Sequence, residues 1–252
     1  FPVYWMIKSS ITVNSEMYVA RPSLIAKHYT FENYVDLFTK TEFPRALLNS
    51  LMIAFLTTVC CLLISILGSY AMTRLKYPGR RFFKTSIIFS YLIPTAVLFV
   101  PMYVFVSKLG FYDNKWALLI IYPTTVVPYC CYMLMSYFKA IPYALEEAAL
   151  IDGCTRMKSL RYIITPIALP GIAVVATFAF TMSWNEYLYA MIMTTSPVQQ
   201  TAVVAISSFK YADSAIWGRI MAASVLTSLP VTIIYIVAQA QLISGKSDGS
   251  VK

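Results

Sequence analysis

Acidic residues are scarce in this chain. There are eleven Asp and Glu among 252 residues, against twenty Lys and Arg, for a formal net charge of +9. Charged residues of both signs make up 12% of the chain, about half of the ~25% found in soluble domains, which excludes an ordinary water-facing surface. Histidine occurs once, as His28, and no cysteines stand at C-x-x-C spacing, so no zinc site can be argued. The five cysteines are Cys60, Cys61, Cys130, Cys131 and Cys154; four form adjacent pairs inside apolar runs, and all are expected to be packing residues with reduced thiols. No Ser-His-Asp arrangement can be built around one loop histidine. The tripeptide GKS at 245–247 lacks the glycine that a phosphate-binding loop needs five residues earlier, where Ala240 stands, and an apolar helix precedes it in place of a strand. The basic residues are spread between apolar runs and do not gather into a patch, which excludes nucleic acid as a partner. Internal repeats and low-complexity stretches are absent as well.

Apolar residues fill the space that charge leaves, at 59% of the chain. Five long apolar runs, at 46–72, 87–106, 116–138, 162–193 and 220–243, are each long enough to cross a hydrocarbon core of ~30 Å at ~1.5 Å per helical residue. The apolar opening FPVYWMI, residues 1–7, reads as the end of a first helix whose beginning is missing and not as a signal peptide, which brings the expected total to six. Lipid offers the backbone no hydrogen bonds, so each run is expected to be helical and residues 1–252 to form one all-α membrane domain. Prolines at 94 and 101 interrupt the second run, those at 123 and 128 the third, and those at 166 and 170 open the fourth.

Lysine and arginine set the orientation. Loop 73–86 carries Arg74, Lys76, Arg80, Arg81 and Lys84; loop 139–161 carries Lys139, Arg156, Lys158 and Arg161; the tail carries Lys246 and Lys252. The opposite loops are sparser, with Lys108 and Lys115 on one and Lys210 and Arg219 on the other. Both richer loops and the C-terminus are therefore expected in the cytoplasm, and segments 8–45 and 194–218 outside.

Three of the eleven acids fall in one octet, EEAALIDG at 146–153. Pro142 suits the first turn of a helix, Glu146 and Glu147 suit its positive end, and Gly153 suits a left-handed cap. Thr155 can cap a second helix carrying Arg156, Lys158 and Arg161. The expected form is helix, sharp turn, helix. Ala148 and Ala149 leave a low ridge, and Leu145, Leu150 and Ile151 are apolar residues on a short loop, which point to a partner surface more than to a merely solvated loop.

The second polar island is SWNEYLYA, residues 183–190, which is expected to set Asn185 and Glu186 in an apolar helix. An ionisable group at membrane depth faces a cavity or a partner. Trp184, Tyr187 and Tyr189 beside it combine aromatic faces with polar groups, as sugar sites do; an interfacial aromatic belt is the plain alternative.

The stretch EEAALIDGCTRMKSLRYIITPIALPG resembles the signature loop of ABC importer permease subunits, in which E-A-A is followed by three residues, G, nine residues, I, x and L-P. Glu147, Ala148, Ala149, Gly153, Ile163 and Pro166 stand at that spacing, and Thr165 replaces the usual leucine. FENYVDLF, LLNSLMIAF, AMTRLKYPGRR, SWNEYLYA and the tail GKSDGSVK are similar to the maltose-type carbohydrate branch. The resemblance implies a six-transmembrane type I permease bundle in a bacterial or archaeal plasma membrane. Its implied partners are a second homologous permease, two cytoplasmic ABC ATPase subunits and an extracytoplasmic solute-binding protein, with a carbohydrate as substrate. In that family the loop supplies coupling helices that dock on the ATPase. Carried over, Glu147, Ala148, Ala149 and Gly153 make that contact, with Glu146 and Asp152 beside them. Trp184, Asn185, Glu186 and Tyr187 become candidates for the substrate pathway, and loop 194–217, with Gln199 and Gln200, for contact with the binding protein. No cofactor is expected on this chain, ATP and Mg belonging to the ATPase.

Two other classes fit less well. A proton-coupled carrier needs several membrane-buried acids or histidines, and Glu186 is nearly alone. A permease for a non-sugar solute differs only in substrate.

Overall fold

The computed structural model describes residues 1–19, 22–209 and 217–247. Lys210 and Lys252, two of the topology markers, lie outside the described residues, as do the side chain of Lys246 and the end of the tail motif. The elements run α1 (Pro2–Ser10), α2 (Asn14–Met17), α3 (Glu32–Thr39), α4 (Phe43–Arg74), α5 (Arg80–Leu92), α6 (Thr95–Lys108) and α7 (Ala117–Ala140). They continue through α8 (Tyr143–Ile151), α9 (Arg156–Ser159), a π-helical turn (Leu160–Ile164), α10 (Thr165–Ile167) and α11 (Leu169–Trp184). The series closes with α12 (Leu188–Met193), α13 (Ala202–Ser208) and α14 (Trp217–Ser247). A single β-bridge, Thr12 to Tyr29, is the one pairing of extended chain among the described residues.

Three helices are long and apolar enough to cross a membrane unbroken: Phe43–Arg74, Ala117–Ala140 and Trp217–Gln239. Two bent helix pairs are each long and apolar enough when their halves are counted together. Arg80–Leu92 meets Thr95–Lys108 at 98°, and Arg156–Ile167 meets Leu169–Trp184 at 82°. Three of the five apolar runs read from the sequence are thus unbroken helices and the other two are bent pairs, and the proline expectation needs correction. Pro94 does break its run, because a proline forces the residue before it out of the helical region; Ile93 is extended, at φ −72 and ψ 121. Pro101, Pro123 and Pro128 sit inside continuous helices, as does Pro230. Ahead of Pro166, which has no N–H to close an ordinary turn, the chain widens into the π-helical turn.

The described residues divide into two compact units. One comprises Phe1–Ile53, Tyr103–Leu118 and Trp184–Ile233. Its core holds Leu37, Phe43 and Ala46 against Ala202, Ala205, Ala222 and Ala223, where small residues let backbones approach closely. The other comprises Ala54–Met102, Leu119–Ser183 and the chain from Ile234 onward. Its core gathers Val126, Leu134 and Phe138 of α7 with Leu160, Ile164, Ile172 and Val175 of the chain that follows Gly153. That packing seats the 139–161 loop. All five cysteines are free, with Cys61, Cys130 and Cys131 buried.

Candidate functional site

The octet forms the predicted helix pair. Pro142 is extended, at φ −57 and ψ 136, and turns the chain from α7 into α8. At the far end Gly153 has φ +84, a left-handed conformation that costs a residue with a Cβ ~1–2 kcal/mol. The Gly153 amide donates to the Leu150 carbonyl at 3.2 Å and the Cys154 amide to the Ala149 carbonyl at 2.9 Å, the paired bonds of a Schellman cap. Thr155 then starts α9, its Oγ1 accepting the Lys158 amide.

The rotation of α8 sorts the predicted residues. Glu147, Ala148, Asp152 and Gly153 are exposed, together with Leu145 and, at 86% exposure, Ile151. Ala149 and Glu146 are buried, Glu146 to 3% exposure. They stand three residues apart on one helical face. Tyr70 Oη donates to Glu146 Oε1, with Arg156 Nη1 3.6 Å from the same oxygen and Arg74 Nε 3.8 Å from Oε2. Arg74, whose side chain has no exposure, donates through Nη2 to the carbonyls of Phe138 and Ile141. The ring of Tyr143 covers its guanidinium at 4.2 Å, and Tyr143 Oη donates to the Thr73 carbonyl. Arg80 donates to the carbonyls of Met72, Thr73 and Leu75, closing the end of α4 as cations do at a helix C-terminus. This cluster borders an open hollow of about 870 Å³ lined also by Lys76, Tyr77, Glu147 and Leu150. Sequence reasoning counted Arg74 and Arg80 only as topology markers and did not single out Tyr70. The available signal was an arginine at the last turn of an otherwise apolar helix.

SWNEYLYA departs from expectation. Asn185 and Glu186 do not lie in an apolar helix: α11 ends at Trp184, and 185–187 form the break before α12. The Glu186 carboxylate explains the break, accepting the amides of Tyr189 at 3.0 Å and Ala190 at 3.1 Å in the first turn of α12. A carboxylate there satisfies donors that the helix leaves open and suits its dipole. Trp184 is buried and donates Nε1 to the Thr227 carbonyl. Tyr187 is half-buried, and Asn185 is exposed at a shallow pocket of about 310 Å³, lined also by Val203, Ile206, Ser224, Thr227, Ser228 and Val231.

The chain from Thr194 to Thr201 is fastened to its own unit. Asn49 Nδ2 donates to the carbonyls of Val198 and Gln200, each at 3.0 Å, while its Oδ1 accepts Lys115 Nζ at 2.7 Å. Gln199 Oε1 accepts the Lys115 amide. Asp113, the one non-glycine residue of positive φ among the described residues, accepts the amide and hydroxyl of Ser196. Burial raises the pKa of the Asp113 carboxyl, but hydrogen bonds from Ser196 and Thr195 together outweigh it and hold the pKa below the usual range. His28 is an exposed loop residue, with Nδ1 2.6 Å from Glu16 Oε1.

A helical membrane chain with a capped helix pair beside its basic loops defines a class of transport subunit. Residues 64–246 match the sequence model of the family described as binding-protein-dependent transport system inner membrane component, and the chain belongs to that family. It is 35% identical over 254 residues to the inner membrane ABC transporter permease protein YcjP of Escherichia coli, an alignment covering all of this chain and 91% of that one. It is 33% identical over 255 residues to the trehalose/maltose transport system permease protein MalG of Thermococcus litoralis, again covering all of this chain and 91% of the relative. A chain of a bacterial ABC transporter that imports the acidic polysaccharide alginate superposes with a TM-score of 0.82 at 22% identity, covering 95% of this chain and 89% of that one. The fold is that of an importer permease, with three unbroken and up to two bent spans among the described residues, and the chain is a multi-pass transport subunit of an ATP-driven, binding-protein-dependent importer, not itself an enzyme.

Proposed function

We propose that this permease carries a carbohydrate, that α8 and α9 form its coupling element on a cytoplasmic ATPase, and that its C-terminus is cytoplasmic. The observation that carries the coupling reading is the capped helix–glycine–helix unit with Glu147, Ala148, Asp152, Gly153 and Ile151 turned outward. An apolar tip ringed by acids and small residues suits a cleft in another subunit. Ala149 supports this face from behind, and Glu146 anchors it internally. The trehalose/maltose relative supports a sugar as solute. Trp184, Asn185, Glu186 and Tyr187 belong to the solute pathway in this reading: Asn185 faces the pocket with the hydroxyls of Ser224 and Ser228, while Trp184 and Glu186 hold the break in shape. A second permease, two ATPase subunits that hold ATP and Mg, and an extracytoplasmic binding protein complete the transporter. Segments 8–45 and 194–218 are extracytoplasmic, loop 194–217 meets that binding protein, and 139–161 faces the ATPase.

Affinity purification of the tagged chain from its native membrane tests this. The expected result is recovery of an ATPase and a second permease, with a co-purifying binding protein whose bound solute is a sugar. Gly153→Pro is expected to lose the ATPase or to uncouple its hydrolysis from transport. Recovery of the chain alone, with transport driven by a proton gradient and no ATP, overturns the coupling reading, and a binding protein loaded with a non-sugar solute overturns the substrate.

A further inference from the structure

The acids of α8 divide by direction. Glu147 and Asp152 face outward, whereas Glu146 is buried among groups of its own chain. Burying a carboxylate is costly unless it is paired and hydrogen-bonded, and removing one partner leaves the other charge stranded. Around Glu146 the partners come from separate parts of the chain: Tyr70 and Arg74 from the last turns of α4, and Arg156 from the start of α9. Arg74 in turn holds the carbonyls of Phe138 and Ile141, at the end of α7, and lies against the ring of Tyr143, the first residue of α8. One buried ionic group therefore touches the end of α4, the end of α7, the first turn of α8 and the start of α9.

We propose that Glu146 and Arg74, braced by Tyr70, form an internal strut that makes α8 and α9 move as one body with the end of α4. They are positioning residues that touch neither solute nor ATPase. A helix seated only by apolar side chains can slide along its neighbour, because such contacts have no direction. A carboxylate fixed by a phenol and two guanidinium groups resists that sliding. The 3.8 Å between Arg74 Nε and Glu146 Oε2 exceeds the ~2.7–2.9 Å of a charge-assisted hydrogen bond, so that contact is an ion pair, and the directional bonds of the strut are those of Tyr70 to Glu146 and of Arg74 to the carbonyls of Phe138 and Ile141. The functional consequence of the strut rests on the reading of α8 as the ATPase-docking helix; the mechanical link does not.

The test uses the assembled transporter in nanodiscs with Cys60 and Cys154 replaced by serine. Spin labels are placed through Ile151→Cys at the tip of α8 and Lys76→Cys just beyond α4, and their separation is measured with and without ATP. The expected distribution is narrow and unchanged by ATP. Glu146→Gln is expected to broaden it, and Tyr70→Phe, which removes one hydroxyl and keeps the ring, to broaden it less. In both variants the ATPase stays bound and keeps its basal hydrolysis, while stimulation by the binding protein falls about 2- to 30-fold, the range for single changes in a coupling network. A distribution that stays narrow in Glu146→Gln overturns the strut. So does loss of the ATPase from that variant with the label distance unaltered, which would place the carboxylate at the docking surface. Broadening in the variants combined with indifference of the ATPase to Gly153→Pro upholds the strut and overturns the docking role.

Discussion

At the scale of single residues, glycines mark two different constraints. Gly153 needs its backbone freedom, since φ is +84 and nothing lies within 4 Å of where a Cβ would stand. Gly218 needs its empty space. A Cβ there would lie 2.5 Å from the amide nitrogen and oxygen of Asn33, whose nitrogen donates to the carbonyls of Ser10 and Thr12. Gly218→Ala is therefore expected to push that buried amide off both acceptors and to destabilise the protein by about 1–3 kcal/mol. The measurement is the apparent Tm of the purified transporter in detergent. An unchanged Tm would show that Asn33 can yield without loss. The role of Gly153 was legible in the sequence, because caps are local. That of Gly218 was not, since its constraint comes from a side chain far away in the chain.

At the scale of elements, α3 shows how a short helix is fastened outside the spans. Asp36 accepts Lys40 Nζ at 2.7 Å, one helical turn on, and Arg219 Nη2 at 2.9 Å from α14. The hydrogen bond from Lys40 first, and that from Arg219 after it, lower the pKa of the Asp36 carboxyl against the opposing effect of burial. Glu16 is lowered likewise, by the His28 hydrogen bond foremost. A carboxyl whose pKa is lowered by folding stabilises fully above its unfolded value, and the gain fades as pH falls through the folded one. Both carboxylates thus contribute fully above about pH 5, and their contribution is lost progressively below about pH 4. Amide hydrogen exchange in residues 13–19 and 22–40 is expected to quicken, relative to α4, between pH 6 and pH 3. Equal protection at both values would show that these ion pairs do not hold the segment. The bends belong to this scale too. Pro94 broke a helix and Pro123 and Pro128 did not, a distinction that composition does not contain.

For the whole molecule, the charge distribution makes a claim about orientation. Lys76→Cys, in the loop after α4, is expected to react with a membrane-impermeant maleimide only in inside-out vesicles. Tyr29→Cys, exposed on the segment between α1 and α4, is expected to react only from the outer face of intact cells. The reverse pattern would invert the proposed topology and remove α8 from the cytoplasm.

What the sequence determined by itself was whatever depends on neighbours along the chain. The shortage of charge fixed lipid as the solvent, run lengths located the apolar helices, and the order proline, acids, glycine, threonine fixed the helix pair of 143–159 together with its family. Tertiary structure decided the rest. Glu146 turned inward because Tyr70 and Arg74 wait there, on a helix more than seventy residues earlier. Residues 198–200 are fixed because Asn49 reaches their carbonyls across about 150 positions. Such choices depend on which buried polar groups find partners once the helices meet, and no local pattern carries that information.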